Sequence, residues 1–132
     1  MELRPSPSRR TRAHAFRDAA RGICLLFASQ CHARIHGLAA LVVIALGWAL
    51  KVSPSEWLWL VLAMALVLIT EALNTAIELL GDAVTREHHP LIGRAKDIAA
   101  GAVLLASIAA AIMGALVLVP HLRALWPVGP RP

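Results

Sequence analysis

Glu71, Asn74, Glu78 and Asp82 follow one another at steps of three, four and four residues in the stretch Thr70 to Val84, TEALNTAIELLGDAV. On an α-helix, at about 100° per residue, that spacing puts all four side chains in one narrow stripe. Carboxylates and a carboxamide in a row can bind a hard divalent cation, accept a proton and orient a hydroxyl group. A short loop later come Glu87, His88, His89, Arg94, Lys96 and Asp97. Lysine and arginine neutralise phosphate oxygens, so both halves of a phosphoryl-transfer site lie close together in the chain. The usual nucleotide signatures are missing: there is no GxxxxGK[ST] loop, no GxGxxG after a strand and no protein-kinase motif set. Any phosphoryl chemistry therefore falls to the stripe and the basic loop. A plainer reading makes the stripe a polar seam that packs helices by hydrogen bonds. Against it, a carboxylate toward the bilayer centre costs roughly 2.5 to 3.5 kcal/mol on insertion scales, and such residues ordinarily mark function.

The elements that position the stripe are apolar. Of the 132 residues 58% are hydrophobic, and the mean hydropathy of +0.67 is that of a membrane protein. Charge and proline divide the chain into three long segments: Ile35 to Leu50 between Arg34 and Lys51, Trp57 to about Leu80, and the uncharged run Ile98 to Val119. The last is long enough to cross a hydrocarbon core of about 30 Å, and the first reaches span length if Arg34 and Lys51 snorkel to the two interfaces. The segment KVSPSE, residues 51–56, reads as a tight turn with a helix start near Ser53 or Ser55. In FRDAARGICLLF the apolar residues Phe16, Ala19, Ala20, Ile23, Leu26 and Phe27 recur at helical spacing opposite Arg17, Asp18 and Arg21, the pattern of an amphipathic surface helix. The expectation is an all-α membrane protein. A basic disordered tail covers residues 1–12 and a single domain covers 13–119, with a surface helix over about 14–30 and transmembrane helices over about 34–51, 56–82 and 95–119. A loose tail follows over 120–132.

With three spans, Arg4, Arg9, Arg10, Arg12, Arg17, Arg21, Arg34, Arg86, Arg94 and Lys96 share one side, and only Lys51, Arg123 and Arg131 the other. The positive-inside rule then places the amino end and the stripe in the cytoplasm. No signal peptide is expected, because Asp18 and Arg21 interrupt any early apolar run. The pI near 10.6 reflects arginines flanking membrane spans, so nucleic acid is not an expected partner. Cys24 and Cys31 form no CxxC pair and read as reduced thiols. His32 and His36 in HARIH lack the glutamate of a HExxH zinc motif. Trp48, Trp57, Trp59 and Trp126 cluster toward the outer side as an interfacial belt.

The run EALNTAIELLGDAV, followed by REHHPLIGRAKDIAAGAVLLASIAAAI, closely resembles the small trimeric bacterial lipid kinases, the diacylglycerol kinase and undecaprenol kinase family. The resemblance covers about residues 14 to 118. It implies a homotrimeric bundle in the bacterial inner membrane, each chain with a surface helix and three spans, without a P-loop and with the active site shared between neighbouring protomers. The activity it implies is ATP-dependent and Mg2+-dependent phosphorylation of a lipid alcohol, undecaprenol or diacylglycerol. The stretches RIHGLAALVV and AKDIAAGAVLL look more like the undecaprenol kinase branch. Carried over residue by residue, the resemblance makes Glu71 the general base toward the lipid hydroxyl and Asn74 the residue that positions that hydroxyl or the γ-phosphate. Glu78 would bind the Mg2+ of MgATP. Glu87 and His89 resemble loop residues that line the nucleotide, with Asp82 beside them, and Lys96 with Asp97 resembles the pair that contacts phosphate and nucleoside.

The pattern departs at one position. Four residues before Arg34, where the family usually has a second metal-binding glutamate, this chain has Gln30. An amide oxygen can ligate Mg2+ but brings no charge, so metal affinity falls unless another carboxylate helps. Two other readings stay open on the sequence: a small ion-coupled transporter built on a membrane carboxylate such as Glu71, and a catalytically silent member of the family.

Overall fold

The structure is a computed structural model that describes residues 12–125. Of the tail expected over residues 1–12, residues 1–11 lie outside the described residues, as does Trp126 with the rest of the carboxyl-terminal tail, while Arg12 opens α1. Four helices account for nearly all of the rest: α1 (Arg12–Ser29), α2 (Cys31–Ala49), α3 (Pro54–Val84) and α4 (Pro90–Ala124). The last three are each long and apolar enough to cross a membrane.

Between α1 and α2 only Gln30 is extended, at φ −105° and ψ 121°. The Arg34 guanidinium reaches back over this break, Nε donating to the Phe27 carbonyl at 2.9 Å and Nη2 to the Ala28 carbonyl at 2.8 Å. Those carbonyls belong to the last turn of α1, which has no helical donors of its own. One side chain thus ties the end of the first helix to the start of the second.

The turn from α2 to α3 is a Schellman motif: Val52 N–H donates to the Gly47 carbonyl at 3.1 Å and Lys51 N–H to that of Trp48 at 3.2 Å. Lys51 holds the left-handed position at φ 53°, where glycine is usual. Val52 is thereby buried beside Leu60, Val117 and Leu118, with Trp57 packed against them. Ser53 then caps α3 in a capping box with Glu56, with Pro54 at the first helical position. Glu56 also meets His121, whose Nε2 lies 2.9 Å from Oε1.

That contact joins the start of α3 to the end of α4, while Asp82 and Lys96 join the end of α3 to the start of α4. The two helices form an antiparallel pair and carry most of the packing. The two ends of α4 differ most from expectation, each by five residues. Helix α4 starts at Pro90, because proline at the first helical position has its φ preset and needs no N–H partner. It also runs through Pro120 to Ala124, where a loose tail was expected from residue 120. Pro120 leaves the Leu116 carbonyl without its helical donor, a loss that membrane helices tolerate, and the His121 contact with Glu56 holds the final turn in place.

Large apolar side chains including Leu38, Leu41, Leu62, Leu105 and Leu116 are exposed on the bare chain. In water such a surface aggregates; against lipid tails or other helices it is a normal outer face.

Candidate active site

Helix α3 has 31 residues, about 46 Å of helix and more than a bilayer core. Glu71 lies about 26 Å along it from Pro54 and Glu78 about 36 Å. With the Ser53 turn at one interface, the acidic stripe reaches the other. Glu71 is 3% exposed and Thr75 6%, so this face of α3 is covered while most of the helix is not. Among the described residues no hydrogen bond or ion pair occupies the Glu71 carboxylate.

Asn74 lies next along the stripe. Its Nδ2 donates to Glu78 Oε1 at 3.0 Å, while its Oδ1 is buried without a partner. One turn further, Asp82 accepts from Lys96 Nζ across the α3–α4 contact. That approach needs Gly81, since a Cβ there would stand 2.8 Å from Lys96 Cε and 2.9 Å from Ile92 Cγ2. The stripe expected from spacing is therefore a continuous face of one helix, with Lys96 added from the next.

The remaining expected site residues lie around its edge. Glu87 is exposed in the loop, where its backbone N–H donates to Thr85 Oγ1 at 3.0 Å. His89 is the N-cap residue of α4 but makes no side-chain capping bond. Asp97 is exposed on α4 beside Lys96. Gln30 is half-buried at the α1–α2 break and caps nothing with its side chain. No group of three or more His, Cys, Asp or Glu side chains converges among the described residues. The oxygens on the stripe that could meet a cation are hard ones, the Glu78 carboxylate and, on the far side of the amide that donates to it, the unpartnered Asn74 Oδ1. That set suits Mg2+, which is commonly held by one or two carboxylates together with substrate phosphates and water.

Three residues escaped the reading from sequence. Arg34 was placed only as the start of a span, and its seven-residue reach back to Phe27 has no sequence signature. Gly81, isolated in a helical run, was the kind of signal that points to close packing. Thr75, beside Asn74 in the motif, is buried with its Oγ1 unpartnered.

Two clefts flank this face. Toward the bilayer centre, one of about 360 Å³ lies among α2, α3 and α4, lined by small residues such as Ala39, Ala63, Ala111 and Gly114, with His36 and Ser107 as its polar members. The other, of about 380 Å³, separates α1 from α3 at the level of Thr75.

Comparison with known proteins adds the chemistry. The family model described as "Prokaryotic diacylglycerol kinase" matches residues 17–118. An undecaprenol kinase from Bacillus subtilis is 37% identical over 108 residues, which cover 82% of this chain and 88% of that protein. A diacylglycerol kinase from a Synechocystis species is 43% identical over 84% of this chain and 64% of its own length. The diacylglycerol kinase of Escherichia coli K12 is 35% identical over 76% of this chain and 83% of its own. The ion-coupled transporter finds no support among these relatives.

Proposed function

The chain belongs to the prokaryotic diacylglycerol kinase family, and from that premise we propose that it transfers the γ-phosphate of ATP to the hydroxyl of undecaprenol at the cytoplasmic face of a bacterial inner membrane. The coarser statement stands without the proposal: it is a lipid kinase and a multi-pass membrane protein. The observation that carries phosphate transfer to a hydroxyl at this site is the buried carboxylate of Glu71, unpartnered toward the end of a membrane-length helix and in line with Asn74, Glu78 and the Asp82–Lys96 pair.

In the proposed mechanism Glu71 takes the proton from the lipid hydroxyl, whose oxygen attacks the γ-phosphorus as ADP departs. Asn74 positions the attacking oxygen or the γ-phosphate, its amide kept in register by the bond to Glu78. Lys96, poised on Asp82, turns to the phosphate oxygens and neutralises charge as it develops. Glu87, His89 and Asp97 border the nucleotide. Glu78, with Gln30, would hold Mg2+. When bound, that ion neutralises phosphate charge and orients the phosphates.

Undecaprenol is favoured over diacylglycerol because the RIHGLAALVV and AKDIAAGAVLL stretches look more like the undecaprenol kinase branch. The substrates of the relatives divide between the two alcohols. A homotrimer is proposed on the family resemblance, supported by the small-residue cleft among α2, α3 and α4, since small residues let membrane helices approach closely. The cytoplasmic placement rests on the basic residues gathered at the stripe's end of the bundle. The test is transfer of radiolabelled phosphate from ATP in mixed micelles containing either undecaprenol or diacylglycerol. Faster labelling of undecaprenol is expected. Preferential labelling of diacylglycerol reverses the substrate assignment, and labelling of neither defeats the reading.

A further inference from the structure

We propose that Thr75 is a further substrate-contacting residue, whose hydroxyl holds the oxygen of the lipid alcohol in the cleft between α1 and α3. The inference rests on the lipid kinase reading and deepens it. Serine and threonine within helices commonly turn their hydroxyl back to a carbonyl about one turn earlier. Thr70 does so toward Leu66 at 2.9 Å and Val67 at 3.0 Å, and Ser29 toward Leu25 at 2.8 Å. Thr75 does not: it is 6% exposed and its Oγ1 has no partner. A buried hydroxyl without a bond is uncommon enough in folded proteins to require an explanation.

The cleft that Thr75 lines supplies one. Ala19, Gly22 and Ile23 of α1 face Ala72 and Ala76 of α3 across it, and no charged side chain is among its walls. Its other hydroxyl, Ser29, is committed to the Leu25 carbonyl. An apolar space of about 380 Å³ with one uncommitted hydroxyl complements a molecule with an apolar body and a single polar end. A nucleotide, whose phosphates would find no cation in this cleft, does not fit that description.

Position points the same way. Thr75 is one turn beyond Glu71 and only about 40° around the helix from it. It therefore lies between the acidic stripe and the α1–α3 cleft. A lipid oxygen that accepts from Thr75 Oγ1 stands beside the Glu71 carboxylate and can direct its own proton there. Thr75 positions the nucleophile, and Glu71 receives its proton.

The experiment uses the purified full chain, with steady-state kinetics in mixed micelles of undecaprenol, varying lipid at saturating ATP and ATP at saturating lipid. Thr75→Val keeps the side chain's size and removes the hydroxyl. It is expected to lower kcat/KM for the lipid about tenfold, the usual consequence of losing one hydrogen bond, with KM for ATP and the melting temperature unchanged. Thr75→Ser is expected to restore activity to within about twofold of wild type. Gly22→Leu fills the cleft from the α1 side, where an added Cβ meets nothing within 4 Å, and is expected to show the same loss confined to the lipid. Wild-type lipid kinetics in Thr75→Val, or equal losses toward lipid and ATP, overturn the assignment. So does a changed oligomeric state without a lipid-specific effect, which would mean that a helix of a second copy fills the cleft. If the wild-type chain phosphorylates neither alcohol, the kinase substrate reading falls and this inference with it. If the wild type is active and Thr75→Val is unaffected, only the Thr75 assignment falls.

Discussion

Adding one methyl group at Gly81 separates the packing that places Lys96 from the phosphate contact proposed for it. A Cβ on this residue would stand 2.8 Å from Lys96 Cε and 2.9 Å from Ile92 Cγ2. Both contacts are closer than carbon atoms tolerate, so the lysine stem must swing off Asp82 and Ile92 must shift. The effect on stability is small because two terms oppose each other. Alanine is favoured over glycine inside a helix by about 1 kcal/mol, and overpacking costs about 1 to 3 kcal/mol. The net loss lies between about zero and 2 kcal/mol. The effect on catalysis is expected to be larger. If Lys96 contacts phosphate, removing a hydrogen bond to a charged group forfeits about 1.5 to 3 kcal/mol, roughly ten- to a hundredfold in kcat/KM for ATP. The assay is ATP-dependent phosphate transfer at saturating lipid, beside thermal unfolding in the same detergent. Gly101→Ala on α4 serves as the control, since a Cβ there meets nothing within 4 Å, and it should leave kinetics intact. Wild-type ATP kinetics in Gly81→Ala, with Lys96→Ala strongly impaired, would show that the lysine finds its place without the glycine and would refute the reasoning.

Glu71→Gln should abolish transfer to the lipid hydroxyl while leaving melting temperature and assembly unchanged; full turnover would remove the base from the mechanism. Lys51→Gly should stabilise the chain by about 1 kcal/mol, because Lys51 occupies a left-handed position at φ 53° that suits glycine. Phosphate transfer should be unaffected, since that turn lies at the opposite end of α3 from the stripe; an unchanged or lower melting temperature would count against the strain. Gln30→Glu adds a carboxylate at the α1–α2 break and should lower the Mg2+ concentration for half-maximal activity. An unmoved midpoint, with Asp82→Asn raising it instead, would place the second acidic ligand on α3.

The three spans could be read from the sequence because hydropathy is a property of a run of residues, and uncharged runs such as Ile98 to Val119 need no tertiary knowledge. The stripe was legible for a related reason. A helix converts spacing into direction, and the bond from Asn74 to Glu78 is the i, i+4 relation that the period describes. What escaped depended on a second element. Gly81 matters only because α4 crosses there, Arg34 because a break at Gln30 leaves α1's last carbonyls within its reach, and Thr75 because α1 leaves a gap beside it. Pro120 looked like a stop because proline disfavours helix interiors, yet a distant partner on α3 holds the turn that follows it.

These unread features share a consequence for how the site is built. The acidic stripe sits on a helix anchored at both ends to the same neighbour, by Glu56 with His121 at one and Asp82 with Lys96 at the other. The stripe's own acids therefore hold fixed positions along the bundle, which the proposed base and metal ligand need if they are to meet the reacting atoms within a fraction of an ångström. Helix α1, by contrast, buries none of its residues and is tied to α2 through the Arg34 bonds to its last carbonyls. A closely packed pair carrying the acids, faced across a cleft by an exposed helix, suits an enzyme whose two substrates differ in kind. The nucleotide must be gripped by fixed charges, whereas the lipid arrives from the bilayer and needs an apolar wall such as the one α1 presents to that cleft.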